Sequence, residues 1–236
     1  MRNPIMVALD VADAESALGL VDRLAPVVGG FKLGKEIFVR EGPGLVRELT
    51  GRGLRVFLDL KFHDIPNTVA KAVAAATSLG VSMLTIHTSG GRAMMEAAER
   101  AAVESARAAG VPVPLVLGVT VLTSLAQGDL AECGLDVPVG KQVERLARLA
   151  KESGLRGLVC SPLELAFLRA MLPGDFQLVS PGIRSSGAPA DDQKRTLSAA
   201  EALAAGADWL VIGRPITKAA DPRAAAEEIL ASCAEG

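Results

Sequence analysis

Tyrosine is absent from this 236-residue chain, tryptophan occurs once and phenylalanine six times. Aromatic faces on which successive bases could stack are therefore not available in number. Positive charge is not in excess either. The formal net charge is −2, so no strong basic field exists to attract a nucleic acid. Histidine occurs only twice, which excludes a His-rich zinc site. Cys133, Cys160 and Cys233 are odd in number, widely spaced and without a CxxC pattern, so neither a disulfide framework nor a structural zinc site is expected. The longest apolar run, Val111 to Leu122, is broken by Pro112, Pro114 and Gly118 and is too short to span a bilayer. Met1-Arg2-Asn3-Pro4 leads straight into a strand-like segment with no secretory signal pattern. Together these absences predict a cytoplasmic globular protein with reduced thiols, no membrane partner and no nucleic-acid partner.

Half of the residues are hydrophobic, enough for a sizeable core, and no linker or composition shift divides the chain. A repeated unit runs from end to end: a short apolar strand, a polar loop, then an Ala-rich amphipathic helix. Strands are predicted at Ile5–Leu9, Gly30–Leu33, Leu54–Leu60, Met83–His87, Pro114–Val119, Gly157–Cys160, Gln177–Val179 and Trp209–Ile212. Helical segments between them include Ala12–Leu24, Gly44–Arg52, Val69–Leu79, Arg92–Ala109, Gln142–Glu152, Pro162–Met171 and Ser198–Ala205. Alternating βα units imply a parallel sheet whose strands are apolar on both faces. Eight units at this length fit a single α/β domain over residues 1–236, a closed (β/α)8 TIM barrel. An open doubly wound sheet is the alternative, but the first βα turn lacks G-x-G-x-x-G.

In a barrel of this kind the chemistry sits at the C-terminal ends of the strands. Read in order, those ends carry Asp10, Lys32, Asp59 with Lys61, His87, Thr120 to Ser124, Ser180 to Arg184, and Gly213-Arg214. Asp59 and Lys61 share one face of a strand, and Asp64 follows just past its end. Charges gathered at a strand end are costly unless paired, so they imply a function or a dense ion-pair network. Pro181-Gly182-Ile183-Arg184 and Gly213-Arg214-Pro215 have the makings of a phosphate grip after the last two strands. Their glycines admit backbone N–H groups, arginine supplies a forked donor, and a short helix near Pro215 adds a positive end. Each element also has an ordinary alternative. Asp10 could cap the first helix, Lys32 could snorkel from a strand end, and Gly213-Arg214 could be a solvated turn. Asp59, Lys61 and Asp64 could make a structural ion pair and a helix cap. His63 and His87 fit packing or orienting roles better than metal ligation.

With these positions in hand, the chain closely resembles the orotidine 5′-phosphate decarboxylase family in its bacterial form. The likeness rests on Val7-Ala8-Leu9-Asp10, Phe31-Lys32-Leu33-Gly34, the block from Asp59 to Thr68 (DLKFHDIPNT), Val119 to Ser124 (VTVLTS), Pro181 to Arg184 (PGIR) and Ile212 to Ile216 (IGRPI). It covers nearly the whole chain. The resemblance implies cofactor-free, metal-free conversion of orotidine 5′-phosphate to UMP and CO2, the last step of pyrimidine nucleotide synthesis.

Carried over by motif, Lys32, Asp59, Lys61 and Asp64 form an alternating charge array at the reacting carbon. The family pattern implies a homodimer in which Asp64 reaches the neighbouring subunit's site, with Ile65 and Thr68 completing it. Asp10 and Lys32 are expected at the ribose hydroxyls, and Thr123 rather than Ser124 at the pyrimidine. Pro181, Arg184, Gly213 and Arg214 are expected around the phosphate, and Gln193 between phosphate and base on a closing loop. A bare D-x-K-x-x-D also fits metal-dependent sugar-phosphate decarboxylases and aldol-type synthases. A non-catalytic nucleotide-binding barrel is the alternative from another class.

Overall fold

The computed structural model describes residues 3–183 and 196–233. Eight parallel strands close into a barrel in sequence order: β1 (Ile5–Ala8), β2 (Gly30–Leu33), β3 (Val56–Phe62), β4 (Met83–His87), β5 (Leu115–Val119), β6 (Gly157–Val159), β7 (Gln177–Ser180) and β8 (Trp209–Ile212). Closure is made by β1 against β8, with Ile5 opposite Leu210 and Val7 opposite Ile212. The open doubly wound alternative is thereby excluded. The helices are α1 (Ala14–Leu24), α2 (Lys35–Gly51), α3 (Pro66–Thr77), α4 (Arg92–Ala109), α5 (Gln127–Glu132), α6 (Val139–Glu152), α7 (Leu165–Met171), α8 (Ala199–Ala204), α9 (Arg214–Thr217) and α10 (Pro222–Ser232). Among the described residues, no helix is long and apolar enough to cross a membrane.

Strand alternation divides the core in two. Ile5, Val7, Leu58, Leu84 and Ile86 belong to the large cluster that includes buried helix residues such as Val21, Val46 and Val73. Met6, Ala8, Phe57, Met83, Leu117, Val179, Trp209 and Val211 form a separate, smaller cluster contributed entirely by strands. These residues fill the barrel interior, so it is a packed core rather than a pore. Fully burying a side chain such as Phe57 stabilises by about 1.5–3 kcal/mol. This inner plug forms the floor under the polar strand ends.

Two local departures from the predicted elements bear on the site. Strand β3 runs on to Phe62, two residues beyond its predicted end at Leu60. Leu58 pairs with Leu84 and Phe62 with Ile86, so β3 advances four residues while β4 advances two. The surplus is absorbed as a bulge, and Lys61 adopts a left-handed backbone (φ 52°), which side chains other than glycine enter at a cost. Helix α2 begins at Lys35 rather than at Gly44, and it is kinked at Gly42 (φ 62°) beside Pro43. Its first half therefore starts directly after β2 and flanks the mouth of the barrel.

Candidate active site

A cavity of about 270 Å³ opens at the C-terminal ends of the strands. Asp10, Lys32, Asp59, Lys61, Thr123, Pro181, Gly213 and Arg214 all line it, although they come from six different βα connections or strand ends. Ala8, Phe57, Val119, Val121, Leu122, Val159, Ile183 and Val211 supply an apolar wall. Thr123 faces the cavity and Ser124 is not among its lining residues. An apolar body with a few convergent polar groups is the usual composition of a small-molecule site.

The charged side is a continuous chain of ion pairs. Lys61 Nζ lies 2.8 Å from both Asp59 Oδ1 and Oδ2. Lys32 Nζ lies 4.0 Å from Asp59 Oδ2 and donates to Asp10 Oδ1 at 3.2 Å. Within one chain the alternating series is therefore Asp10–Lys32–Asp59–Lys61. Asp10 does not cap α1; Asp13 does, accepting from the Ser16 amide at 2.8 Å. Lys32 is not a snorkelling surface lysine either, since its side chain is only 11% exposed. Asp59 is 14% exposed, so the pairs act across poorly solvated space, where charge interactions are strongest. Burial alone would raise the Asp59 carboxyl, but the Lys61 and Lys32 charges, with hydrogen bonds from Lys61 and Thr85, outweigh it and hold it below its ordinary range.

Asp64, Ile65 and Thr68 do not join this cavity within the chain. All three are exposed, and Ile65 is 67% exposed at the start of α3. Asp64 accepts from the Ile65 amide at 2.6 Å, and Ile65 itself occupies the N-cap position without a side-chain cap bond. Arg184 and Gln193 lie outside the described residues. Beyond β7 and β8, Pro181, Gly182 and Ile183 share the cavity with Gly213, Arg214 and Pro215. Gly182 has φ 81°, a turn that a side chain would strain. Helix α9 starts at Arg214, directly after β8, in accord with the short helix expected near Pro215. At Gly34 an added Cβ would come within 3.2 Å of Lys32 Nζ, so this glycine keeps room for the Lys32–Asp10 pair.

His63 and His87 stack at 5.3 Å between ring centroids, tilted by 40°. Burial, followed by the positive fields of His63, Lys35 and Lys61, pushes the His87 imidazole down to about 4. Among the described residues, no three His, Cys, Asp or Glu side chains gather closely enough to hold a metal ion. One polar residue at the charged centre escaped sequence reasoning. Thr85, fully buried on β4, donates to Asp59 Oδ1 at 2.9 Å. In sequence it is one more β-branched residue in a strand, and only the position of Asp59 makes it visible.

The profile of the orotidine 5′-phosphate decarboxylase / HUMPS family matches residues 3–229. The chain is 54% identical over 224 residues to an orotidine 5′-phosphate decarboxylase of Shewanella sediminis, covering 95% of this chain and 94% of that protein. It is 52% identical over 231 residues to the decarboxylase of Paramagnetospirillum magneticum, covering 98% of each. Among solved structures, the orotidine 5′-phosphate decarboxylase of Lactobacillus acidophilus superposes with a TM-score of 0.86 at 37% identity, over 98% of this chain and 99% of that one. With a closed barrel, a paired lysine–aspartate array at its mouth and relatives of this similarity along nearly its whole length, the chain belongs to the orotidine 5′-phosphate decarboxylase / HUMPS family and is a carboxy-lyase.

Proposed function

We propose that this enzyme converts orotidine 5′-phosphate to UMP and CO2 in pyrimidine nucleotide synthesis, with Lys61 stabilising and then protonating the carbanion formed at C6. The observation that carries the proposal is the lysine held by both oxygens of Asp59 at 2.8 Å, in a cavity that also contains Gly213 and Arg214. Loss of CO2 leaves an electron pair in the plane of the pyrimidine ring, where the ring carbonyls cannot delocalise it. A fixed ammonium beside C6 lowers the energy of that charge as it develops. The same ammonium then transfers its proton to C6, giving UMP and a neutral amine that is recharged from solvent. Asp59, bonded through both carboxylate oxygens, limits where the Lys61 Nζ can sit. The lysine supplies both the counter-charge and the proton, so the reaction needs no metal or organic cofactor.

The remaining cavity residues divide into two groups. Asp10 and Lys32 suit the ribose hydroxyls, since an exposed carboxylate oxygen and an ammonium can together accept and donate. Thr123 suits the pyrimidine edge. Pro181, Gly213 and Arg214, joined by Arg184 and Gln193, suit the phosphate and a closing loop. Binding energy collected at the phosphate can offset the cost of closure and of orienting the base.

The active species is a homodimer in which Asp64, Ile65 and Thr68 of the partner subunit complete each site. Their exposure beside the barrel mouth supports this, because an isoleucine 67% exposed at a helix start has apolar surface left for a partner to cover. The direct test is incubation of the purified chain with orotidine 5′-phosphate in EDTA, following the ultraviolet absorbance change and identifying the product. Formation of UMP without added metal supports the proposal. An unchanged substrate, with UMP still bound, would reject it in favour of Mg2+-dependent chemistry on phosphorylated sugars or of nucleotide binding alone.

A further inference from the structure

We infer that Thr85 is a positioning residue for decarboxylation, its hydroxyl locking the backbone of Lys61 to the carboxylate of Asp59. The starting point is the bulge in β3. Where β3 advances four residues against two in β4, the amide of Lys61 cannot keep a regular ladder partner. Lys61 is also the one non-glycine residue with positive φ among the described residues. A strained backbone and an amide displaced from its ladder would together leave the lysine loosely placed.

Thr85 answers both problems with one atom. Its Oγ1 accepts the Lys61 N–H at 2.9 Å and donates its single proton to Asp59 Oδ1 at 2.9 Å. The direction is fixed, because an amide can only donate and an ionised carboxylate can only accept. Asp59 Oδ1 in turn accepts from Lys61 Nζ at 2.8 Å. The result is a closed circuit: Lys61 amide, Thr85 hydroxyl, Asp59 carboxylate, Lys61 ammonium. Thr85 is fully buried, so water does not take its place while the site is intact. It lies two residues after Met83 on β4, so strand alternation puts it on the same face as that residue of the inner plug. The β-branched side chain has few χ1 choices, which makes it a stiff post. Thr85 does not line the cavity and so acts through Asp59 and Lys61 rather than on the substrate.

The inference rests on the proposed reaction, and its test separates the two. Thr85→Val keeps the shape and removes the hydroxyl, while Thr85→Ser keeps the hydroxyl. Displacement of a reacting group by about 1 Å costs on the order of 10²-fold in rate, so kcat is expected to fall by roughly 10–100-fold in Thr85→Val. UMP affinity should stay within about threefold, because the phosphate and ribose contacts are untouched. Thr85→Ser should recover most of kcat. Independently of turnover, hydrogen exchange at the Lys61 amide should accelerate in Thr85→Val and not in Thr85→Ser.

A Thr85→Val enzyme with unchanged kcat and a protected Lys61 amide would overturn the inference. So would equal losses in the Val and Ser variants, which point to packing rather than the hydroxyl. If Thr85→Val does not fold, Thr85→Ala is compared with Thr85→Ser by the same criteria. A wild-type protein that leaves orotidine 5′-phosphate unchanged would overturn the reaction alone, and the amide-exchange comparison would still decide whether Thr85 holds Lys61.

Discussion

Replacing Asp59 by asparagine keeps the shape of the side chain and its acceptor for Thr85 but deletes the charge between two lysines. At an effective dielectric constant of about 20, a pair at 2.8 Å is worth about 6 kcal/mol and one at 4.0 Å about 4 kcal/mol before desolvation is counted. Desolvation cancels much of this, and breaking a buried pair by removing one partner costs a net 3–5 kcal/mol or so. Lys61 is a quarter exposed, and Lys32 retains Asp10 at 3.2 Å, so the low end applies, about 3 kcal/mol. For a domain of this size that lowers Tm by roughly 6–12 °C.

The pH dependence has a definite sign. The folded-state value of Asp59 is lowered, so its stabilisation is present above the unfolded value and is lost as pH falls through the folded one. The Tm gap between wild type and Asp59→Asn should therefore be constant from pH 7 down to about 4 and close only below that. Thermal unfolding across this range measures it. Decarboxylation by the variant should fall by about 10²–10³-fold, as when a preorganised electrostatic group is lost. A variant as stable as wild type at pH 7, or a gap that opens rather than closes with acid, would refute this account of the array.

Arg214→Ala is expected to weaken UMP binding severalfold or more and to raise KM, as loss of a charge-assisted phosphate contact should; calorimetric titration with UMP checks this. Comparable loss of UMP affinity in Lys61→Ala would contradict the division between grip and chemistry. Mixing inactive Lys61→Ala and Asp64→Ala proteins under subunit exchange should restore about a quarter of wild-type activity, since half of the dimers become hybrids with one intact site each. No recovery despite proven exchange would count against a shared site. His87, titrating at about 4, lies below the unfolded imidazole value, so it withdraws stability as pH falls from 6.5 toward 4. Tm of wild type should drop more steeply than that of His87→Asn over this interval, and parallel curves would refute the assignment.

The barrel was legible because each strand is an apolar run closed by a polar turn, a pattern that burial on both faces imposes on a parallel sheet. The bounds of α4 and of strands β2, β4 and β8 follow the sequence pattern directly. Elements blurred where a local feature broke the period. The first half of α2 was hidden by Gly42-Pro43, which reads as a helix stop although the chain resumes after a kink. The six-residue helix α5 is too short for periodicity to reveal, and the Ala-rich α10 carries little apolar contrast for the pattern to mark. At the site, Asp10, Lys32, Asp59 and Lys61 were visible as charges at strand ends. Their pairing order was not, because the left-handed turn at Lys61 depends on the register between β3 and β4. Thr85 stayed hidden for the same reason.

The central claim is that the Lys61 ammonium performs the chemistry while other residues hold the nucleotide. It is tested most directly by single-turnover decarboxylation of orotidine 5′-phosphate in EDTA, wild type against Lys61→Ala, with UMP affinity measured on both. The account predicts metal-independent conversion by wild type and its loss in the variant, which still binds UMP. Conversion by Lys61→Ala at a rate close to wild type would contradict it.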